Sequence, residues 1–284
     1  TMEDLPGVTL RDGRTGKMMF DLASAVTPFG WPRPRISFSP DGTRLLLAGN
    51  RELELWDVAT GRKVRSYASP AAINSVAVRA DPRFAVTGCD DGTLRLWNLE
   101  LGTWVALVTN GTEWIAFDAD QYFDASKRGG ELVAAVQGFV PSRVDQLAAR
   151  NNRPDLLLSR VGLGTTEMIA HYRARYERRL QRLGVDQARL GEGFAAAPLA
   201  EIVSVKVTGK TAQLEGQVVA GGAELLRYNV YVNDVPVFGA TGKSVAGTRA
   251  VVNESIELTS GRNKLEIGVF DRAGRESLRP FEVI

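Results

Sequence analysis

The 284-residue sequence is poor in thiols and imidazoles: it holds one cysteine, Cys89, and one histidine, His171. A lone cysteine excludes an intramolecular disulfide and any multi-cysteine metal site, and a lone histidine excludes a multi-histidine cluster built from this chain. Neither sign of charge dominates. Thirty-five basic against 33 acidic residues leave +2, which gives no general pull toward nucleic acid or anionic membranes. No uninterrupted apolar run approaches the roughly 20 residues that cross a bilayer. The start, Thr1-Met2-Glu3-Asp4, lacks the basic and apolar regions of a secretory signal, so the cytoplasm is the simplest compartment. No Gly-x-Ser-x-Gly elbow offers a serine nucleophile.

What the chain does contain is internal repetition. One line runs through Arg11-Asp12-Gly13-Arg14-Thr15-Gly16, Trp56-Asp57-Val58-Ala59-Thr60-Gly61 and Trp97-Asn98-Leu99-Glu100-Leu101-Gly102. A second runs through Ile36-Ser37-Phe38-Ser39-Pro40-Asp41-Gly42, Val76-Ala77-Val78-Arg79-Ala80-Asp81 and Ile115-Ala116-Phe117-Asp118-Ala119-Asp120. Both keep a period of about 40 residues, the length of one four-stranded propeller blade. Leu53-Glu54-Leu55-Trp56 and Leu94-Arg95-Leu96-Trp97 alternate apolar with polar, which predicts strands buried on their leucine face. Pro40-Asp41-Gly42 and Asp91-Gly92 supply hairpin turns, and Trp31-Pro32-Arg33-Pro34 reads as a rigid loop between blades. Trp56 and Trp97, each near the end of a strand, are expected to pack between neighbouring blades.

These residues resemble the WD-repeat family over roughly residues 8 to 137. The match departs from the family pattern: no repeat carries Gly-His, and Asp91 stands where the family has a buried turn aspartate while the preceding repeat has Asn50. Blades of this kind are expected to depend more on apolar stacking. About three repeats are visible where closed propellers have four to eight blades. Because the first line opens on a last-strand signature, Thr9-Leu10-Arg11-Asp12, the reading frame is expected to extend upstream into more blades.

Asn151-Asn152-Arg153-Pro154-Asp155 reads as a turn cluster. Glu167 to Leu183 reads as an amphipathic helix with Ile169, Tyr172, Tyr176, Leu180 and Leu183 at helical spacing, capped by Thr165 or Thr166 and ended by Gly184. From about Glu201 the period returns to two, in Val203, Val205 and Val207, in Tyr228, Val230 and Val232, and in Leu265, Ile267 and Val269. Turn signals fall at Gly221-Gly222, Asn233-Asp234, Gly261-Arg262-Asn263 and Ala273-Gly274. This last stretch resembles bacterial immunoglobulin-like modules. The fold class expected is therefore all-β: WD-repeat blades of a partial propeller over 1–137, a helical linker over 138–199, and an Ig-like β-sandwich over 200–284. In order of parts, including Trp114-Ile115-Ala116-Phe117-Asp118-Ala119-Asp120-Gln121-Tyr122-Phe123, the chain resembles the non-catalytic part of bacterial WD-repeat proteins with a caspase-like peptidase domain. That resemblance implies a peptidase beyond Ile284.

No residue is assigned to catalysis, to a cofactor or to a metal. Cys89 is an isolated thiol between a glycine and two carboxylates, Asp90 and Asp91, and reads as structural. His171, on the linker helix, reads as a surface or interface residue. Arg173, Arg175, Arg178, Arg179 and Arg182 could form a phosphate-binding face. The solvated or interdomain face is preferred, because no base-stacking platform accompanies them. Asp118, Asp120 and Asp124 lack the glycine and glutamate of a calcium loop. Asn110-Gly111-Thr112 and Asn253-Glu254-Ser255 fit short sequons of low specificity. The expected function is a protein-interaction or regulatory scaffold whose partners are proteins or an attached effector domain, with no nucleic acid and no membrane, in an oligomeric state left open. The rival is a glycan-binding or enzymatic propeller with a site on its rim.

Overall fold

The computed structural model describes residues 8–22, 35–137, 140–185, 187–190 and 196–284. Trp31-Pro32-Arg33-Pro34 lies outside them. The fold is mostly β and forms two compact units. Unit 1 comprises Thr1–Thr109, Ala116–Gln121 and Leu156–Thr165; unit 2 comprises Asn110–Ile115, Tyr122–Asp155 and Thr166–Ile284.

Unit 1 opens with a hairpin of β1 (Val8–Arg11) and β2 (Met18–Leu22). A four-stranded antiparallel sheet comes next, β3 (Arg35–Phe38), β4 (Arg44–Gly49), β5 (Glu52–Asp57) and β6 (Arg62–Ala68), in sequential order. Strands β7 (Ile73–Val78), β8 (Phe84–Cys89), β9 (Leu94–Asn98) and β10 (Thr103–Thr109) repeat the arrangement. The two sheets pack through β3 and β4 against β7. The third run of the second repeat line falls on β11 (Trp114–Phe117), which continues the sheet beside β10 rather than opening a further four-stranded sheet.

The first repeat line is one turn used three times. Asp12 Oδ1 accepts the N–H of Thr15, Asp57 Oδ1 that of Thr60, and Asn98 Oδ1 that of Leu101, at 2.6, 2.9 and 3.0 Å. Each turn closes on a glycine of positive φ, Gly16, Gly61 or Gly102. At Gly61 the need is double, since φ is 63° and a Cβ there would lie 2.3 Å from the Phe20 ring. The Thr60 hydroxyl and N–H hold the Asp57 carboxyl below the usual carboxylate range, as Thr15 does for Asp12 and Ser39 with Thr43 for Asp41.

A carboxylate with a depressed folded pKa contributes stability that is complete above its unfolded value, about 3.9, and is lost as pH falls through the folded value. The thermal midpoint of unit 1 is expected to fall as pH drops from 5 toward 3. Asp57→Asn should flatten that dependence, and an unchanged slope in the variant would remove these turns as its source.

The alternation in β5 and β9 is real, but the buried parity differs from the leucine face expected. Trp56 and Trp97 are buried together with Glu54 and Arg95 on the same side of their strands, while Leu94 is half exposed. In β9 Arg95 lies on the face that Trp97 presents to the neighbouring sheet. In β5 the reason is stacking, since Leu53 packs against one neighbouring sheet and Trp56 against another and its charge has no solvent side to turn to. Glu54 survives there because Trp56 Nε1 donates to its Oε2 at 3.0 Å and Lys63 Nζ lies 2.8 Å from its Oε1, satisfying a charge that would be costly alone.

Unit 2 contains β12 (Phe123–Ala125), the hairpin β13 (Ala134–Gln137) and β14 (Val140–Arg143), and the short helix α1 (Ala148–Asn151). Where a turn cluster was expected, Pro154 starts helix α2 (Pro154–Val161), which from Leu156 on belongs to unit 1. The first helical position tolerates proline, whose missing N–H has no partner there in any case. Helix α3 (Thr166–Leu183) comes next and buries Tyr176 and Leu180. Gly184, at φ 60°, ends it, and the Val185 N–H returns to the Leu180 carbonyl, the bond of a Schellman-type stop.

The remainder is two antiparallel sheets. Strands β15 (Leu199–Thr208), β16 (Thr211–Val219) and, later in the chain, Arg249–Glu257 form the first in the order β15, β16, Arg249–Glu257. Strand β17 (Leu225–Val232) pairs with β18 (Val235–Pro236), β19 (Lys243–Ser244) and Lys264–Asp271, which also pairs with Phe281–Val283, to form the second. We number the last three strands β20, β21 and β22 in chain order. Leu214, Val218, Val252 and Ile256 from one sheet and Leu225, Val230, Leu265, Ile267 and Val269 from the other make one buried core. Asn233 and Asp234 both take positive φ, 50° and 68°, as a two-residue type I′ hairpin requires. The expected alternation fails only in β15. A register shift between Ile202 and Ser204 turns Val203 outward, and Val207 is also exposed. An inserted residue reverses the facing of the strand beyond it, so Ile202 and Val205 meet the core instead.

Candidate functional site

Trp97 sits at the centre of the core of unit 1, among Leu46, Ala48 and Leu53 of one sheet and Ile73, Ala85 and Cys89 of the next. Its Nε1 donates to Thr87 Oγ1 at 2.9 Å. Tyr67 packs beside it, ring centroids 6.1 Å apart, and its hydroxyl donates to the Leu99 carbonyl at 2.5 Å, tying one sheet to the other. Trp56 fills a smaller cluster with Leu22, Leu45 and Leu47. Both tryptophans therefore lie between successive sheets, as their positions in the repeat implied.

Several polar groups of these sheets are engaged locally. The guanidinium of Arg95, buried, meets the Asp91 carboxylate and lies 5.1 Å over the Trp104 ring. Asp91 is not the buried residue its place in the repeat suggested: its side chain is 38% exposed and it accepts from the N–H and hydroxyl of Thr93. Burial raises the Asp91 pKa, but the Thr93 and Arg95 bonds outweigh it and hold the carboxyl below the usual range. Cys89 is buried in unit 1, its Sγ 3.7 Å from the Thr87 hydroxyl. His171 is exposed on α3 in unit 2, edge-on to Tyr172. Of the aspartates weighed as a calcium loop, Asp118 and Asp120 both pair with Arg160 in unit 1, and Asp124 accepts from the Ala125 N–H in unit 2. Among the described residues no group of three or more His, Cys, Asp or Glu side chains is placed to hold a metal ion, and no helix is long and apolar enough to cross a membrane.

The open space of interest is in unit 2. A cavity of about 590 Å³ lies along α3, lined by Tyr172, Arg175, Arg178, Arg179 and Arg182, with Asn152 and Asp124 on its other walls. Tyrosines of the helix itself lie under arginines. Arg153 lies 4.1 Å and Arg179 5.4 Å over Tyr176, and Arg175 6.0 Å over Tyr172. Arg153 also forms a two-pronged pair with the buried Asp155, at 2.9 and 2.7 Å. The signal was available as tyrosines and arginines interleaved at three- and four-residue steps.

Residues 61–98 match the family model "WD domain, G-beta repeat". The span runs from β6 through β9, one strand of the first sheet and three of the second, so the chain carries a WD40 repeat. No curated protein matches the chain. Among solved structures it is similar to the RRP9 WD40 repeats, at 11% identity over 40% of this chain and 43% of that one, with a TM-score of 0.29. It is also similar to the Neurospora crassa Pan2 WD40 domain, at 14% identity over 39% and 43%, TM-score 0.27. A third is the Myceliophteria thermophila Cps50 (Swd1) β-propeller domain, at 10% identity over 96% and 78%, TM-score 0.29. The chain spans less than half the length of the first two.

Proposed function

We propose that this chain is a non-catalytic protein-interaction or regulatory scaffold from a larger bacterial protein. WD-repeat blades over 1–137, a helical linker over 138–199 and an Ig-like sandwich over 200–284 present or position an attached effector in the cytoplasm. The observation that carries this reading is how the WD40 repeat and the sheet before it spend their reactive groups. Cys89 packs against Thr87, Asp91 is held by Thr93 and Arg95, and Glu54 is clamped between Trp56 and Lys63. Groups consumed in local contacts within their own sheets build a rigid platform, and WD40 repeats generally serve as protein-interaction scaffolds. The order of parts supports a caspase-like peptidase as the effector.

Incubation of the purified chain with a mixed peptide library, read by mass spectrometry, is expected to yield no cleavage. Cleavage abolished by Cys89→Ala would make the chain an enzyme. Binding to a glycan array would favour the rim-site reading instead. In the parent protein, deleting this segment should alter the effector's partner binding, and unaltered binding would sink the scaffold reading.

A further inference from the structure

Arg175, Arg178, Arg179 and Arg182 stand at i, i+3, i+4 and i+7 on α3, the spacing that gathers side chains on one helix face. All four line the cavity of about 590 Å³. The stripe covers roughly 10 Å along the helix axis. Against it Asp124 is the one carboxylate among the lining residues, and its Oδ1 already accepts the Ala125 N–H. Among the described residues no carboxylate forms an ion pair with Arg175, Arg178 or Arg182. The site is therefore rich in positive charge and short of its complement.

Arg179 is held by uncharged partners. Its two terminal nitrogens donate to the Asn152 side-chain and backbone oxygens at 2.7 and 2.6 Å, which locks the guanidinium plane. Its Nε is buried with no hydrogen-bond partner. Burial, reinforced by the neighbouring Arg153 and Arg175 and opposed by Tyr176, pushes its pKa below the ordinary arginine range. Guanidiniums crowded in this way repel one another, and an anion entering the cavity relieves that repulsion.

We propose that this cavity binds a phosphate-bearing small molecule with at least two negative charges, of the pyrophosphate or nucleoside diphosphate type. Guanidinium forks match phosphate oxygens two at a time. A row of four, one helical turn apart in pairs, suits two linked phosphates better than a single carboxylate. The volume lies within the range of small-ligand pockets, and Tyr172, Pro154 and Leu183 on its walls offer apolar surface to an organic body.

The test is calorimetric titration of the full chain with pyrophosphate, ADP, citrate and a hexaglutamate peptide at about 0.1 M salt. Pyrophosphate and ADP are expected to bind one to one. Arg178 and Arg182 are exposed, so R178Q and R182Q should fold normally and each weaken phosphate binding about tenfold, the scale of one charge-assisted bond. The double variant should lose about 100-fold, while R262Q, in an exposed turn, leaves binding unchanged. Absence of heat with both phosphates, equal affinity in wild type and the double variant, or tighter binding of citrate or hexaglutamate would each overturn the proposal.

Discussion

Trp97→Ala is expected to lower the stability of unit 1 by about 3–5 kcal/mol, the range for truncating a fully buried aromatic. Trp97 is 1% exposed and touches residues contributed by both sheets. Removing the indole therefore opens a cavity at their junction rather than within one of them. The substitution also strands the Thr87 hydroxyl, which then faces only the Cys89 sulphur as a weak partner. Trp56→Ala should cost less within the same range. Its cluster is smaller, and Glu54 keeps Lys63 when the indole N–H is gone. Hydrogen exchange of peptides from β4 through β9 reports this stability directly, without assuming that the whole chain unfolds in one step. Losses below about 1 kcal/mol at both positions, the scale of surface changes, would mean that neither tryptophan is an inter-sheet residue.

Those positions were legible because repetition reports packing. A residue that returns every 40 or so positions in the same turn context occupies the same place in each sheet, and Asp57-x-x-Thr60-Gly61 and Asn98-x-x-x-Gly102 did so. Helix α3 was legible because one stripe of it is apolar, and the Asn233-Asp234 hairpin because few residues accept two consecutive positive φ angles. Period-two counting misled where the physical assumption behind it failed. It supposes one dry face and one wet face, whereas β5 is covered on both, and Glu54 and Arg95 are buried beside charge partners, Lys63 and Asp91, that the alternation does not register. It also supposes an unbroken register, which β15 lacks at Ile202–Ser204. The arginine stripe was visible as a pattern, but its setting was not. Whether four guanidiniums on a helix face water or a cavity depends on Asn152, Asp124 and Ala240, brought there by tertiary folding alone.

Residues 196–284, expressed without the rest of the chain, are expected to fold into the two-sheet sandwich, and within that segment Leu214→Ala should cost about 2–5 kcal/mol. The ten buried residues of its core all come from this segment, and its length is within the range of independent domains. Excision does break contacts. Arg227 loses the Leu183 carbonyl it caps at the end of α3, the Glu276 backbone loses its bonds with Gln146, and Gly274 loses the packing of Val185 and Leu190. Each of these groups passes to solvent when its neighbour is removed. Water replaces the lost partner, and none of them is left buried and unsatisfied. Leu214 is different, because both sheets close over it and it has no exposure at all. Truncating it leaves a void between them that β16, paired along its whole length to β15 and β20, cannot collapse to fill. Dispersed amide resonances and a single cooperative urea transition, shifted to lower denaturant in the variant, are the expected readouts. A collapsed amide spectrum for the unmodified segment would show that the sandwich needs α3 to fold. A Leu214→Ala loss below about 1 kcal/mol would show that its core lies elsewhere.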